Sequence, residues 1–210
     1  MLPWTPILEG GQTPIVLVRH GQTAWNLQRR FLGRTDRPLD ATGRAQVAWL
    51  SHWSGAFEAV YSSPLSRALQ TATALAPPRA RHVDALAELD QGHLEGLSAA
   101  DAMERYADFF ASWDRDPAAT PVPGGGRLAD ARDAAMVAIV DIARRHRGPV
   151  AVVGHQLVTA SVMATLTGDG LAAWRRHKLG NAGWAMLAFD GHQLRVAVGP
   201  TEAGVVDPPV

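Results

Sequence analysis

The sequence contains no cysteine, and only one of its 20 basic residues is lysine (Lys178); the other 19 are arginine. The missing cysteine excludes disulfides, thiolate nucleophiles and cysteine-ligated zinc sites. Excess charge is missing too: 20 basic and 20 acidic residues leave the chain formally neutral. That balance argues against a nucleic-acid or acidic-membrane binder, both of which usually carry a basic surplus. No apolar run reaches the ~18 residues of a membrane span, and AMVAIVDIA is broken by Asp141. The first residues, MLPWTPILEGG, lack the basic-then-apolar pattern of a signal peptide. The expectation is a soluble, cytoplasmic protein. The arginine bias accompanies abundant alanine and reflects base composition, so each arginine must be judged by its position.

What is present suffices for a folded core. The chain is 47% hydrophobic and 19% charged, outside the range of disordered sequences. At about 150 residues per domain, 210 residues suggest one domain, 1–210. Residues 14–20, PIVLVRH, read as a strand buried on both faces. Asp40 precedes an apolar pattern of helical spacing over 42–54. A short strand is expected at 58–62 and a helix over 65–76, stopped by Pro77-Pro78. A third strand is expected at 81–86 and a helix over 98–115 capped by Ser98. A Pro/Gly loop spans 117–126, and an amphipathic helix covers 127–146. Another buried strand (150–153), a helix (156–167) and a hairpin over 184–198 follow. Strands alternating with helices imply right-handed crossovers. The expected fold is α/β: a three-layer sandwich with a mostly parallel central sheet, an antiparallel edge and a small helical insertion at 98–126 that covers a site. Residues 199–210 are expected to be a loose tail.

In open α/β sheets ligands bind beyond the carboxyl ends of the strands. The first strand ends in Arg19-His20-Gly21, the second at Tyr61-Ser62-Ser63 with Arg67 one turn into the next helix, and the last parallel strand in Gly154-His155-Gln156. Two arginines and two histidines thus come from three separate segments. Arginine presents a planar fork that matches phosphate oxygens. A neutral imidazole near its reference pKa of ~6.5 can attack phosphorus and give a labile phosphoramidate. Gly21 allows close approach of a ligand. The acid that protonates the leaving alkoxide, and later activates water, is sought at Glu88, just after the third strand; Asp90 and Glu95 lie nearby as alternatives.

Four ordered blocks carry a resemblance. They are Arg19-His20-Gly21-Gln22-Thr23-x-Trp25-Asn26 with Gly33-x-x-Asp36-x-Pro38-Leu39; Ser62-Ser63-Pro64-Leu65-Ser66-Arg67-Ala68-x-Gln70-Thr71-Ala72; Leu86-x-Glu88-Leu89-Asp90-x-Gly92-x-x-Glu95-Gly96-Leu97; and Gly154-His155. Together they resemble the signature of the histidine phosphatase (phosphoglycerate mutase-like) superfamily, over most of the chain. The resemblance implies that His20 is the phosphorylated nucleophile and that Arg19, Arg67 and His155 hold the phosphoryl oxygens. It makes Glu88 the general acid and then the base, with Asn26 and the backbone at Gln156 adding phosphate contacts. It implies no metal and no cofactor, and no two histidines lie at the i,i+3 or i,i+4 spacing of a helical metal pair. The expected partner is a small phosphorylated substrate, acted on by a monomer or homodimer.

The chain departs from the family pattern around these residues. Gly154 stands where Ser or Thr is frequent, Gln156 where Gly is common and Leu32 where Gln is frequent. Gln91, His93 and Leu94 stand where an aromatic, an acid and a Trp are frequent. These positions bear on which substrate is taken. Two other functions compete with a phosphomonoesterase: a phosphoglycerate mutase and a catalytically silent binding domain. Mutases of the family carry a longer insertion after the Glu and an Asn-Glu-Arg-type block around it, whereas Glu88 sits in Ala87-Glu88-Leu89. Binding alone requires neither His20 nor Glu88. Asp36 and Arg37 read as loop structure, Trp25 as pocket wall or core, His93 as a rim residue, and Arg29, Arg30 and Arg34 as a solvated cluster.

Overall fold

A computed structural model describes residues 2–76 and 80–202. A short helix α1 (Thr5–Glu9) leads into β1 (Thr13–Arg19), α2 (Ala24–Leu27) and α3 (Ala41–Ala48). Strand β2 (Ala59–Ser62), α4 (Ser66–Leu75) and β3 (Arg81–His82) follow. Next come α5 (Ala99–Arg105), α6 (Ala107–Arg115) and α7 (Leu128–Arg144). The chain closes with β4 (Val150–Gly154), α8 (Gln156–Leu166), β5 (Trp184–Phe189) and β6 (Leu194–Thr201). The six strands form one sheet in the order β3-β2-β4-β1-β5-β6. Strands β1 to β4 pair in parallel, and the β5–β6 hairpin supplies the antiparallel edge.

Alternation along the central strands sorts their side chains into two layers. Val16, Val18, Ala151, Val153 and Met186 pack with α1, α3 and α4. Ile15, Leu17, Val150, Val152 and Leu187 pack with α7 and α8 on the other face. Both faces are covered, so β1 and β4 are buried at every residue. A third cluster, including Leu89, Leu94, Ala102, Trp113, Leu128 and Trp174, lies outside the sheet and anchors the 98–126 segment.

Four local expectations need correction. The helix expected over 42–54 tightens into a 3₁₀ turn at Trp49–Trp53, which drives Leu50 and Trp53 into the core. There the Trp53 ring meets Trp4, Trp49 and Trp184 edge-on, with centroids 5.0–5.4 Å apart. The third strand stops at His82, because it is an exposed edge that pairs only with β2. A 3₁₀ turn, Asp84–Leu86, then buries Leu86. The single helix expected over 98–115 breaks at Tyr106, whose φ of −127° and ψ of 37° leave the helical region; Tyr106 packs there against the third cluster. Ser98 does cap α5, accepting from the Asp101 amide at 3.1 Å. At the C-terminus β6 continues to Thr201, opposite Trp184, three residues into the expected tail. The Pro77-Pro78 stop and the rest of that tail, 203–210, lie outside the described residues.

Candidate active site

Parallel register brings the strand ends together. Arg19 of β1 pairs with Gly154 of β4, so His20 and His155 emerge side by side, with ring centroids 5.2 Å apart. The His20 amide donates to the Gly154 carbonyl at 3.1 Å, and the Ser63 amide beyond β2 donates to Val153 at 2.9 Å. Ser63 Oγ then lies 2.7 Å from His155 Nε2.

The backbone sets the tautomer of His20. Its Nδ1 lies 2.7 Å from the Gly21 carbonyl, which can only accept, so Nδ1 carries the proton. In the neutral ring Nε2 therefore holds the lone pair. Burial, and then Arg19 and Arg67, hold this ring well below the usual imidazole range. His155 is held low in the same way, by burial, then Arg67, His20 and Arg19. Both rings are neutral near pH 7.

Arg67 is completely buried. Its two terminal nitrogens donate to the Gly33 carbonyl at 2.7 Å and the Thr35 carbonyl at 3.0 Å. Two carboxylates hold that loop in turn. Asp36 accepts from the Ser66 amide and hydroxyl, both at 2.8 Å, which ties the loop to the start of α4. Glu95 accepts from the amides of Arg34 at 2.6 Å and Thr35 at 2.7 Å. Arg19 is anchored at one nitrogen by the Leu179 carbonyl at 2.8 Å, and burial lowers its pKa to about 10. The buried Nε atoms of Arg19 and Arg67 and Nδ1 of His155 have no hydrogen-bond partner. The cluster is thus rich in donors and short of acceptors.

Glu88 is the acid closest to this cluster in its electrostatic influence, raising the pKa of both arginines. One carboxyl oxygen accepts from the amides of Leu89 (3.0 Å) and Val158 (3.2 Å), the other from Leu157 (3.1 Å). The group therefore sits on the first turn of α8, where amides point outward. Burial nevertheless pushes its carboxyl up, opposed by these amides and by Arg67.

A cavity of about 180 Å³ opens at this point. Of the residues singled out in the sequence, Arg19, His20, Asn26, Arg30, Leu32, Glu88, Gln91 and Gln156 line it. Arg67 and His155 are fully buried and are not among its lining residues. Asn26 also closes a capping box on α2, its amide oxygen accepting from the Thr23 amide at 3.1 Å. Gly21 also serves packing: a Cβ there would lie 2.7 Å from the Gly43 carbonyl of α3. Arg30 lines the cavity instead of belonging to a purely solvated cluster. Trp25 does not line it and lies under the Arg37 guanidinium at 4.5 Å. Sequence reasoning missed Phe31, Leu157 and Trp174 as lining residues, and Asn181, which donates to the His20 carbonyl at 3.2 Å. Trp174 and Asn181 follow α8 in a stretch with no motif to mark them. Among the described residues no group of three or more His, Asp or Glu is placed to hold a metal ion.

Residues 15–199 match the family model of the histidine phosphatase superfamily (branch 1). The chain belongs to this superfamily. A metal-independent phosphoserine phosphatase of Arabidopsis thaliana is 34% identical over 76% of the chain and 71% of its own length. Phosphoserine phosphatase 1 of Hydrogenobacter thermophilus is 27% identical over 84% of the chain and 86% of its own length. Among solved structures, Bacillus stearothermophilus YhfR superposes with a TM-score of 0.82 at 27% identity, covering 92% of the chain and 98% of that protein. A mycobacterial glucosyl-3-phosphoglycerate phosphatase gives 0.80 at 26% identity, over 90% and 99% of the two chains. The histidine phosphatase described here is a phosphomonoesterase of small phosphorylated metabolites, of the metal-independent kind. Among the described residues no helix is long and apolar enough to cross a membrane.

Proposed function

We propose that the enzyme hydrolyses its substrate in two steps through a phosphohistidine at His20. Nε2 of His20 attacks the phosphorus in line with the ester oxygen, forming an N–P bond as the P–O bond breaks. Glu88 gives its proton to the leaving alkoxide. Glu88, now ionised, takes a proton from a water molecule that attacks the phosphohistidine, releasing inorganic phosphate and restoring both groups. Arg19, Arg67 and His155 stabilise the charge on the transferring group, with Asn26 and Gln156 at its edge.

The observation that carries this reading is the opposite tuning of two buried groups beside one cavity. His20 is held neutral with its lone pair on Nε2, and Glu88 is pushed up toward its protonated form. A ring with a free lone pair thus stands beside a carboxyl whose surroundings favour its proton-donating form. The rate falls as pH rises through the raised pKa of Glu88, because the acid form is lost. The reading takes 1–210 as one cytoplasmic domain, monomeric or paired with a second copy, which size-exclusion chromatography and cell fractionation test.

The test is turnover of p-nitrophenyl phosphate in excess chelator, with acid-labile, alkali-stable phosphate captured on the protein and absent in His20→Ala. Activity lost to the chelator, or capture that persists in the variant, overturns it. A mutase would interconvert phosphoglycerates faster than it releases inorganic phosphate; the expected result is the reverse.

A further inference from the structure

The site cavity continues past its polar residues. Phe31, Gln91, Leu157 and Trp174 line it and also line an adjoining compartment of about 150 Å³. The remaining walls of that compartment are mainly apolar. Helix α6 contributes Phe109, Phe110 and Trp113, and Leu89, Leu94 and Val122 close it from other segments. Its charged and amide side chains have partners, and the buried Trp174 indole nitrogen, an uncharged donor, has none. Gln91 Nε2 donates to the Leu32 carbonyl at 3.3 Å, and Arg175 donates to Asp114 at 2.9 Å. A carboxylate or ammonium placed there would lose its hydration without gaining an unengaged partner of opposite charge, whereas an alkyl or aryl group loses nothing by leaving water. The α6 aromatics are also mutually packed, with Phe109 5.0 Å from Phe110 and 5.4 Å from Trp113, so the wall is formed in advance.

We propose that this compartment receives the leaving group, and that the enzyme prefers phosphomonoesters of alcohols bearing an apolar chain or ring over zwitterionic ones such as O-phosphoserine. The proposal rests on the phosphatase reading, because the phosphoryl group must sit in the adjoining polar cavity for the organic group to reach this one.

Alkylphosphonates test it without turnover, since they carry the phosphoryl anion but no ester bond. Trp113 and Trp174 border the compartment, so intrinsic fluorescence reports binding. From methyl- through propyl- to pentylphosphonate, Kd should fall roughly fourfold per methylene until the compartment is full, and inorganic phosphate should compete. Phe110→Ser should flatten the gradient, and Phe110→Leu should restore most of it. Equal affinities along the series overturn the proposal, whether or not p-nitrophenyl phosphate is hydrolysed. A gradient that inorganic phosphate does not compete away also overturns it, since the alkyl chain is then bound elsewhere. A competed gradient in a protein that hydrolyses no phosphomonoester retains the compartment and overturns the phosphatase reading instead.

Discussion

Two buried histidines lie at opposite ends of the sheet, and their surroundings differ in sign. His146, at the end where the strands begin, is 8% exposed. Its Nδ1 meets Glu58 at 2.7 Å and its Nε2 meets the Tyr61 hydroxyl at 3.0 Å. Both ring nitrogens are used, and the partner that could be charged is an anion. His155, at the end where the strands finish, is fully buried. Its Nδ1 has no partner, and the charged neighbours that act on it include Arg67 and Arg19. Burial is therefore similar in the two places and does not distinguish them. The sign of the neighbouring charge, and whether the ring is already satisfied, separates a tie between segments from a group poised for an anion.

The widest contrast comes from deleting a histidine at each end. His20→Ala should lower kcat on p-nitrophenyl phosphate by roughly 10⁴–10⁶-fold with little change in Tm. His146→Ala should leave kcat within a fewfold and lower Tm by several degrees, since it strips both Tyr61 and Glu58 of a partner. Comparable kcat losses in the two variants would erase the distinction drawn between the two ends.

Next in size is Glu88→Gln. It should cost roughly 10²–10⁴-fold in kcat for alkyl phosphates, and less for p-nitrophenyl phosphate, whose leaving group needs no acid. A uniform loss across both substrates would remove Glu88 from the acid role and return Asp90 or Glu95 to consideration.

Arg67→Lys keeps the charge but not the fork, so the bonds to both Gly33 and Thr35 cannot be kept. We expect kcat/KM to fall about 10–100-fold. Full activity in the lysine variant would show that the site needs only positive charge there.

The smallest effect belongs to the structural end. Glu58 is held below its ordinary carboxylate value, first by His146 and then by the Gly148 amide. A depressed carboxylate adds stability above its unfolded pKa, 4.5 here, and that stability is lost as pH falls through the folded value. Glu58 is 43% exposed as a side chain, so solvent screens most of the gain. Glu58→Gln should lower Tm by about 1–3 °C at pH 7, with the gap closing in acid. A gap that persists unchanged well below pH 4 would mean that the charge is not what matters.

Much of the fold was legible because its signals are local. The buried runs at 14–20 and 150–153 read as strands covered on both faces, and Asp40 and Ser98 cap where their hydroxyl or carboxylate oxygens suggest. The break at Tyr106 was not legible, since no Gly or Pro marks it; it falls where Tyr106 packs against the third cluster. Within the site, the reading of strand ends located Arg19, His20, Arg67 and His155, because an open parallel sheet aligns its carboxyl ends whatever the loops do.

By itself the sequence determined which side chains end the strands, and hence that arginine and histidine meet there. Tertiary structure alone decided the rest. The Gly21 carbonyl fixed the His20 tautomer, the first turn of α8 took the Glu88 carboxylate, and the loop held by Asp36 and Glu95 aimed Arg67. It also joined Phe31, Phe110 and Trp174, distant in the chain, into one apolar wall. Tautomer, pKa and cavity shape arise from contacts between segments far apart in sequence, and no local pattern encodes such contacts.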